Sequence, residues 1–206
     1  MPQMLQNMMN ETNPNIKIDQ ITFPGMSLND HLTKIVESKS GNNISTRTKR
    51  PDELTETVKK IKEKDWDIII LQTGAVSVLI PESVRYNINP AIENIKDLTT
   101  TQTGFILFSS WMTQVDYPKK YCYRGFQIDP SLEQMKEFCS SSIKSKSDYL
   151  DKLNSSYKSI AESHGLQKTD HGDVFLKVSD KHPELEILED EMHPSRLGAF
   201  LSACIF

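Results

Sequence analysis

The sequence predicts a three-layer α/β fold, in which helices cover both faces of an open parallel sheet. Two apolar runs, residues 67–72 and 104–108, have the length and composition of strands buried on both faces of such a sheet. Segments with apolar residues at helical spacing alternate with these runs. The 206 residues suffice for one hydrophobic core, so we expect a single domain over residues 1–206.

Periodicity and turn-forming residues give the order of the elements. The first part of the chain predicts a helix over 2–11, a strand over 16–23, a helix from Leu28 to Val36, a loop over 39–50 and a helix that begins at Pro51. After strand 67–72 come a helix over 82–98, strand 104–108, an irregular aromatic segment to about Pro130, a helical pattern from Leu132 that is strongest over 149–164, a strand over 166–170, a helical turn over 174–178 and a helix over 197–205.

Composition and charge exclude several classes of protein. The net charge of −4 comes without a basic stripe, so we expect no nucleic-acid partner. No apolar run approaches the ~20 residues that cross a bilayer, so we expect no membrane partner. Three cysteines without CxxC spacing predict buried or idle thiols rather than a disulfide framework or a zinc cluster. The first residues lack the features of a signal peptide, which indicates a cytoplasmic protein unless such a peptide lies upstream of Met1.

Polar residues follow several predicted strands and form one candidate site. Gly25 and Ser27 follow the first strand, Gln72 ends the second, residues 109–111 follow the third, and residues 190–193 precede the last helix. Chemistry in open parallel sheets takes place beyond the carboxyl ends of the strands. The sequence therefore predicts that these residues meet at one edge of the sheet.

The Asp190–His193 spacing is typical of an acid–base pair. An imidazole serves as a general base near neutral pH, and a carboxylate three residues earlier can bind its other ring nitrogen. Two plainer interpretations stay open: Asp190 belongs to an acidic surface loop, and His193 caps a helix. A metal site is a weaker interpretation, because the pair lacks a third ligand nearby.

Three segments resemble conserved blocks of the SGNH (GDSL-like) hydrolases, in particular the bacterial branch related to carbohydrate esterases. They are DEMHPSRLGAFLSA (190–203), FPGMSLNDHL (23–32) and WDIIILQ (66–72). The resemblance implies a flavodoxin-like sheet, a hydrolase acting on a small-molecule or carbohydrate ester, and no cofactor. It does not imply an oligomeric state.

The same resemblance implies roles for single residues. His193 would be the general base, Asp190 its orienting acid, and the Gly25 N–H and Gln72 the oxyanion donors. The residues themselves allow plainer roles: Gly25 can form the turn after Pro24, Gln72 can end a strand, and His31 can be a surface helix residue. The aromatic segment around Trp111 forms either a substrate lid or a packed surface loop; its other aromatic residues are Tyr117, Tyr121, Tyr123 and Phe126.

The nucleophile is the missing part of the resemblance. The family's first block, a central strand ending in Gly-Asx-Ser, has no counterpart here, and helix 2–11 resembles the helix that follows that serine. Ser27 is an alternative nucleophile, but Lys17 and Asp19 make strand 16–23 too polar for a central strand, so we expect Ser27 to be a helix N-cap. We therefore expect either an N-terminally truncated domain or a strand 16–23 that pairs directly with 67–71. The alternative function is an inactive SGNH-fold relic that binds a glycan or a protein.

Overall fold

The computed structural model describes residues 2–111, 113 and 115–206. The helices are α1 (Pro2–Thr12), α2 (Leu28–Thr33), α3 (Glu56–Ile61), α4 (Ala75–Leu79), α5 (Pro81–Ser83), a π-helical turn (Val84–Ile88), α6 (Asn89–Asp97), α7 (Gly125–Ile128), α8 (Lys146–His164), α9 (His171–Lys181) and α10 (Arg196–Ala203). The strands are β1 (Lys34–Ser40), β2 (Asn43–Thr48), β3 (Ile68–Gln72), β4 (Gly104–Phe108), β5 (Cys122–Arg124), β6 (Glu137–Cys139) and β7 (Gln167–Lys168).

The central sheet is parallel, with the order β3-β4-β7. Strands β3 and β4 pair without a bulge, from Ile68 opposite Gly104 to Gln72 opposite Phe108. Strand β7 contributes two residues to the ladder. The predicted α/β class with a parallel sheet is therefore confirmed.

Helices pack on both faces of the sheet. On one face, Leu71 and Leu107 contribute to a large apolar core with residues of α2, α3, α4, α6 and α8. On the other face, Phe108 packs with Phe175 of α9 and with Leu201 of α10, and α1 lies against α10. Within the described residues, no helix is both long and apolar enough to span a membrane.

The predicted strand over residues 16–23 does not form. Side chains rather than a ladder satisfy part of its backbone, since Gln6 accepts a hydrogen bond from Ile18 N–H (2.6 Å) and donates one to the Ile16 carbonyl (2.9 Å). Direct pairing of this segment with β3 is also wrong, because in the described chain β3 pairs with β4 alone.

Strand β3 consequently has an open edge. Its Ile68 and Ile70 are 55% and 40% exposed, so the expectation that this strand is buried on both faces is wrong. Both side chains lie on the face of the sheet that carries Phe108, because successive residues of a strand alternate between faces and Gln72 is opposite Phe108. Apolar surface is therefore uncovered on this face of the sheet.

The segment after α2 forms a hairpin instead of the predicted longer helix and loop. Helix α2 ends at Thr33, and strands β1 and β2 pair antiparallel through a turn in which Gly41 has a φ of 58°. β-branched residues such as Ile35 and Val36 favour a strand over a helix. Helix α3 also starts later than Pro51, at Glu56, because Thr55 caps it by accepting a hydrogen bond from Val58 N–H (3.1 Å).

The second half also departs from prediction in two places. The helical pattern predicted from Leu132 is wrong up to residue 145, where β5 and β6 form a small antiparallel sheet; the strongest part of it, 149–164, is confirmed by α8. Cys122 and Cys139 lie opposite each other in that sheet, 4.1 Å apart at Cα, and form a disulfide, so the expectation of free thiols is wrong for this pair. Cys204 is a free, exposed thiol.

Candidate functional site

Asp190 and His193 form a direct hydrogen-bonded pair. The Nδ1 atom of His193 lies 2.6 Å from Oδ2 of Asp190. The other carboxylate oxygen, Oδ1, accepts the backbone N–H groups of Met192 (2.7 Å) and His193 (2.6 Å). The sequence prediction that these two residues meet is therefore reproduced in the geometry, while their chemical role remains a prediction.

The hydrogen bonds around Asp190 set the ionisation state of its carboxylate. Hydrogen bonds from the backbone and the ring of His193 and from the backbone of Met192 lower the pKa of Asp190 to about 2. The carboxylate is therefore ionised at neutral pH and accepts a proton held on Nδ1 of His193. The His193 side chain is 64% exposed.

The loop that carries the pair is tied at its base. Ser195 donates its N–H to the Ile187 carbonyl (3.0 Å) and its hydroxyl to the Glu186 carbonyl (2.6 Å). The same hydroxyl caps α10 by accepting the Gly198 N–H (3.1 Å). A Cβ atom on Gly198 would lie 1.9 Å from the Ile187 carbonyl oxygen, so glycine is the residue that permits this close approach. Segment 190–203 thus contains the pair and the residues that support it.

Trp111 belongs to segment 109–111, which the sequence placed at the candidate site, and it holds the tip of the loop. Its indole Nε1–H donates to the carbonyl of Met192 (2.9 Å), across a separation of 81 residues. The side chain is 9% exposed and stacks on Phe175 at 4.4 Å. Its position just after an apolar strand was the available signal, and the structure favours the packed alternative over a lid for this residue.

Gly25 and Ser27 have local structural roles. Pro24 and Gly25 are the central residues of a turn in which Met26 N–H donates to the Phe23 carbonyl (3.3 Å), and the Gly25 φ of 71° is typical of a type II turn. The Ser27 hydroxyl caps α2: it accepts the Asp30 N–H (3.1 Å) and donates to the Asp30 carboxylate (2.9 Å). This agrees with the expected N-cap, and no hydrogen bond between Ser27 and His193 occurs in the described residues.

Gln72 lies at the carboxyl end of β3, directly opposite Phe108 at the end of β4. Trp111 follows β4 and binds the His193 loop, so the sheet places Gln72 at the edge from which the acid–base pair is anchored. The Gln72 residue is exposed, and no contact between it and the pair occurs among the described residues. The structure therefore brings together Asp190 and His193, and leaves Gly25, Ser27 and Gln72 separate from them.

Two further histidines are partly or fully buried. His171 is 0% exposed: its Nε2 donates to the Ser202 carbonyl (3.0 Å) and its Nδ1 lies 2.7 Å from the Thr169 hydroxyl. Burial lowers the pKa of His171 to about 4, so this ring is neutral and structural. His31 is not the surface residue expected, because its Nδ1 lies 2.7 Å from the Thr57 hydroxyl and burial lowers its pKa.

One group in the described chain brings three metal-ligand side chains within 4.8 Å of one another: Cys122, Glu137 and Cys139. The two sulfurs are joined in the disulfide, so they are not free to bind a metal as thiolates. A cavity of about 300 Å³ lies on the α9 side of Trp111, with walls that include Phe175, Ile187 and Leu188.

The fold has counterparts among solved structures. A DUF4886 family protein from Bacteroides uniformis superposes with a TM-score of 0.54 at 13% sequence identity, over 80% of this chain and 56% of that one. A candidate SGNH hydrolase from Slackia heliotrinireducens gives a TM-score of 0.57 at 14% identity, over 98% of this chain and 88% of that one. The chain thus spans about half the length of the first. No family model and no curated protein matches it.

Proposed function

We propose, on the SGNH-like fold of this chain, that it carries the acid–base part of a serine-type ester hydrolase. His193 Nε2 takes the proton of an attacking hydroxyl and later returns it to the leaving alcohol. Asp190 holds the ring in the Nδ1–H tautomer and stabilises the imidazolium that forms. The observation that carries the proposal is the 2.6 Å Asp190–His193 contact, which leaves Nε2 open at the carboxyl edge of a parallel sheet.

The substrate that we propose is a small or carbohydrate acyl ester. Acyl transfer develops negative charge on the carbonyl oxygen, which needs preorganised donors. Two are proposed: the N–H of Gly25, which donates to no described residue, and the side-chain amide of Gln72 at the end of β3. Removal of one such donor is expected to reduce kcat by about 10²–10³-fold.

The nucleophile is proposed to come from a strand that pairs with the open edge of β3. The described residues give His193 no hydroxyl or thiol partner, and Ser27 is engaged in capping. The exposed Ile68 and Ile70 show that this edge has unburied apolar surface, which an added strand would cover. A serine at the carboxyl end of that strand would lie at the same edge of the sheet as Gln72.

A second candidate function is binding without catalysis. The observation that favours it is the same absence of a hydroxyl partner for His193 in the described residues. On this alternative the chain is a relic that retains the fold and binds a glycan or a protein partner.

Turnover of p-nitrophenyl acetate by the purified chain tests the proposal. We expect His193→Ala to remove whatever hydrolysis the chain supports, and His182→Ala, at an exposed histidine outside the site, to leave it unchanged. Hydrolysis insensitive to His193→Ala contradicts the assignment. Ser27→Ala separates the nucleophiles, because loss of turnover without loss of folding would make Ser27 the attacking residue.

If the chain does not turn the ester over, the DNA upstream of Met1 decides between the two functions. An in-frame apolar segment that ends in Gly-Asn-Ser or Gly-Asp-Ser, and that restores hydrolysis when it is added, supports the enzyme. A stop codon immediately upstream supports the binding relic.

A further inference from the structure

We propose that Trp111 is a positioning residue that sets the orientation of the Asp190–His193 pair. The inference deepens the proposed function, on which it rests. On this inference, a buried tryptophan outside segment 190–203 holds the backbone at His193 in place.

The indole of Trp111 is itself fixed in orientation. Phe175 stacks on it with an interplanar angle of 9° and a centroid distance of 4.4 Å, and Phe108 meets it edge-on at 6.1 Å. With 9% exposure, the ring has little freedom to rotate. Its N–H therefore points in one direction, toward the loop.

The bond that this N–H makes acts on the peptide unit next to the catalytic candidate. The carbonyl of Met192 accepts from Trp111 (2.9 Å), and the N–H of His193, on the other side of the same peptide plane, donates to Oδ1 of Asp190 (2.6 Å). Because a peptide unit is rigid, these two bonds together fix its orientation and hence the direction of the His193 side chain. Asp190 then reaches the ring from the same loop (2.6 Å).

The other hydrogen bonds of the loop tip are local to the loop, such as the one from the Glu189 N–H to the His193 carbonyl (2.9 Å). Met192 is 50% exposed and the side chains of His193 and Asp190 are 64% and 51% exposed. Exposed side chains of this kind are held by hydrogen bonds rather than by packing. Loss of the Trp111 bond is therefore expected to loosen the tip without unfolding the core.

Trp111→Phe tests the inference, because phenylalanine retains an aromatic ring for the stack and lacks the N–H. The matched control is Trp66→Phe: Trp66 also donates its Nε1–H to backbone carbonyls, those of Lys60 (3.2 Å) and Ile61 (3.0 Å), and is also partly buried. Two NMR measurements serve as readouts: solvent exchange of the Met192 and His193 amides, and the neutral tautomer of the His193 ring from its 15N shifts.

In the full wild-type chain we expect protected amides and the Nδ1–H tautomer. Trp111→Phe is expected to raise amide exchange at 192–193 about five- to tenfold and to add the Nε2–H tautomer, as loss of one hydrogen bond implies. Trp66→Phe is expected to change neither. Where the chain hydrolyses p-nitrophenyl acetate, Trp111→Phe should lower kcat more than it changes KM.

Two results would overturn the inference. One is unchanged exchange and tautomer in Trp111→Phe. The other is faster exchange across the whole protein in that variant, which would make the role of Trp111 structural alone. Failure of the wild-type chain to hydrolyse the ester would count against the proposed function instead, and the NMR comparison would still decide the role of Trp111.

Discussion

Acidification is expected to destabilise this protein through one buried histidine, His171. Burial lowers its pKa in the folded state from 6.5 to about 4. The ring lies 4.3 Å from Phe108 and donates from Nε2 to the Ser202 carbonyl, while Nδ1 faces the Thr169 hydroxyl. The Ser202 carbonyl and the nearby charge of Asp170 favour a second proton on the ring, but burial outweighs both.

The sign and size of the effect follow from the two pKa values. Between pH 6.5 and 4, His171 binds a proton in the unfolded chain but not in the folded chain. The free energy of unfolding therefore falls as the pH falls. Each unit of pKa difference corresponds to 1.36 kcal/mol. The contribution of His171 therefore amounts to a loss of about 2 kcal/mol at pH 5 and about 3 kcal/mol at pH 4, relative to pH 7.5.

Urea unfolding from pH 7.5 to 4 measures this loss, and His171→Gln isolates it from carboxylates that titrate in the same range. The variant should be less stable at pH 7.5 and should lose less stability on acidification, with the difference approaching about 3 kcal/mol at pH 4. His164→Gln, at a partly exposed histidine whose pKa burial also lowers, serves as the control. Parallel pH profiles of wild type and His171→Gln would refute the reasoning.

Three further perturbations test local features of the fold. Gly198→Ala should destabilise by at least ~2 kcal/mol in urea unfolding, because its Cβ would lie 1.9 Å from the Ile187 carbonyl oxygen. Ser27→Ala should cost about 1 kcal/mol by removing the cap of α2. Reduction of Cys122–Cys139 should cost about 3 kcal/mol, as the loop it closes spans 17 residues in sequence, and should be visible as a lower urea midpoint with dithiothreitol.

Each of these has a matched control in the same chain. Ala199→Gly changes the same helix turn as Gly198→Ala, and we expect it to cost only about 1 kcal/mol. Ser145→Ala removes an equivalent cap, from α8, where Ser145 accepts the Asp148 N–H (3.2 Å). Cys204→Ser should leave the response to dithiothreitol unchanged, since Cys204 is unpaired. A Gly198→Ala protein as stable as wild type, a harmless Ser27→Ala or a midpoint insensitive to reductant would each contradict its prediction.

The contact between Asp190 and His193 could be predicted from the sequence because its determinants are local. Asp190 and His193 are three residues apart, so their contact depends on one loop and little else. The sheet was predictable for a related reason: the runs in β3 and β4 are apolar over their whole length, and a pattern of that kind identifies strands without knowledge of their neighbours.

The predictions failed where the secondary structure of a segment depended on contacts with residues distant in the sequence. Residues 16–23 have strand-like alternation, but the Gln6 side chain of α1 binds the backbone at Ile16 and Ile18 in place of a neighbouring strand. Ile35 and Val36 fit the helical spacing of α2, while their β-branched side chains favour a strand, and the pairing of β1 with β2 decided between the two. The role of Trp111 depends on a hydrogen bond across 81 residues, which no local pattern records.

The central claim is that Asp190 and His193 act as one acid–base unit in ester hydrolysis, and a double-mutant cycle tests it most directly. The measurement is kcat/KM for p-nitrophenyl acetate in wild type, Asp190→Ala, His193→Ala and the double variant, with the nucleophile strand added where hydrolysis requires it. Residues that act as a unit are not additive. We predict that the double variant loses no more activity than His193→Ala alone. Losses that multiply, or single variants as active as wild type, would contradict the claim.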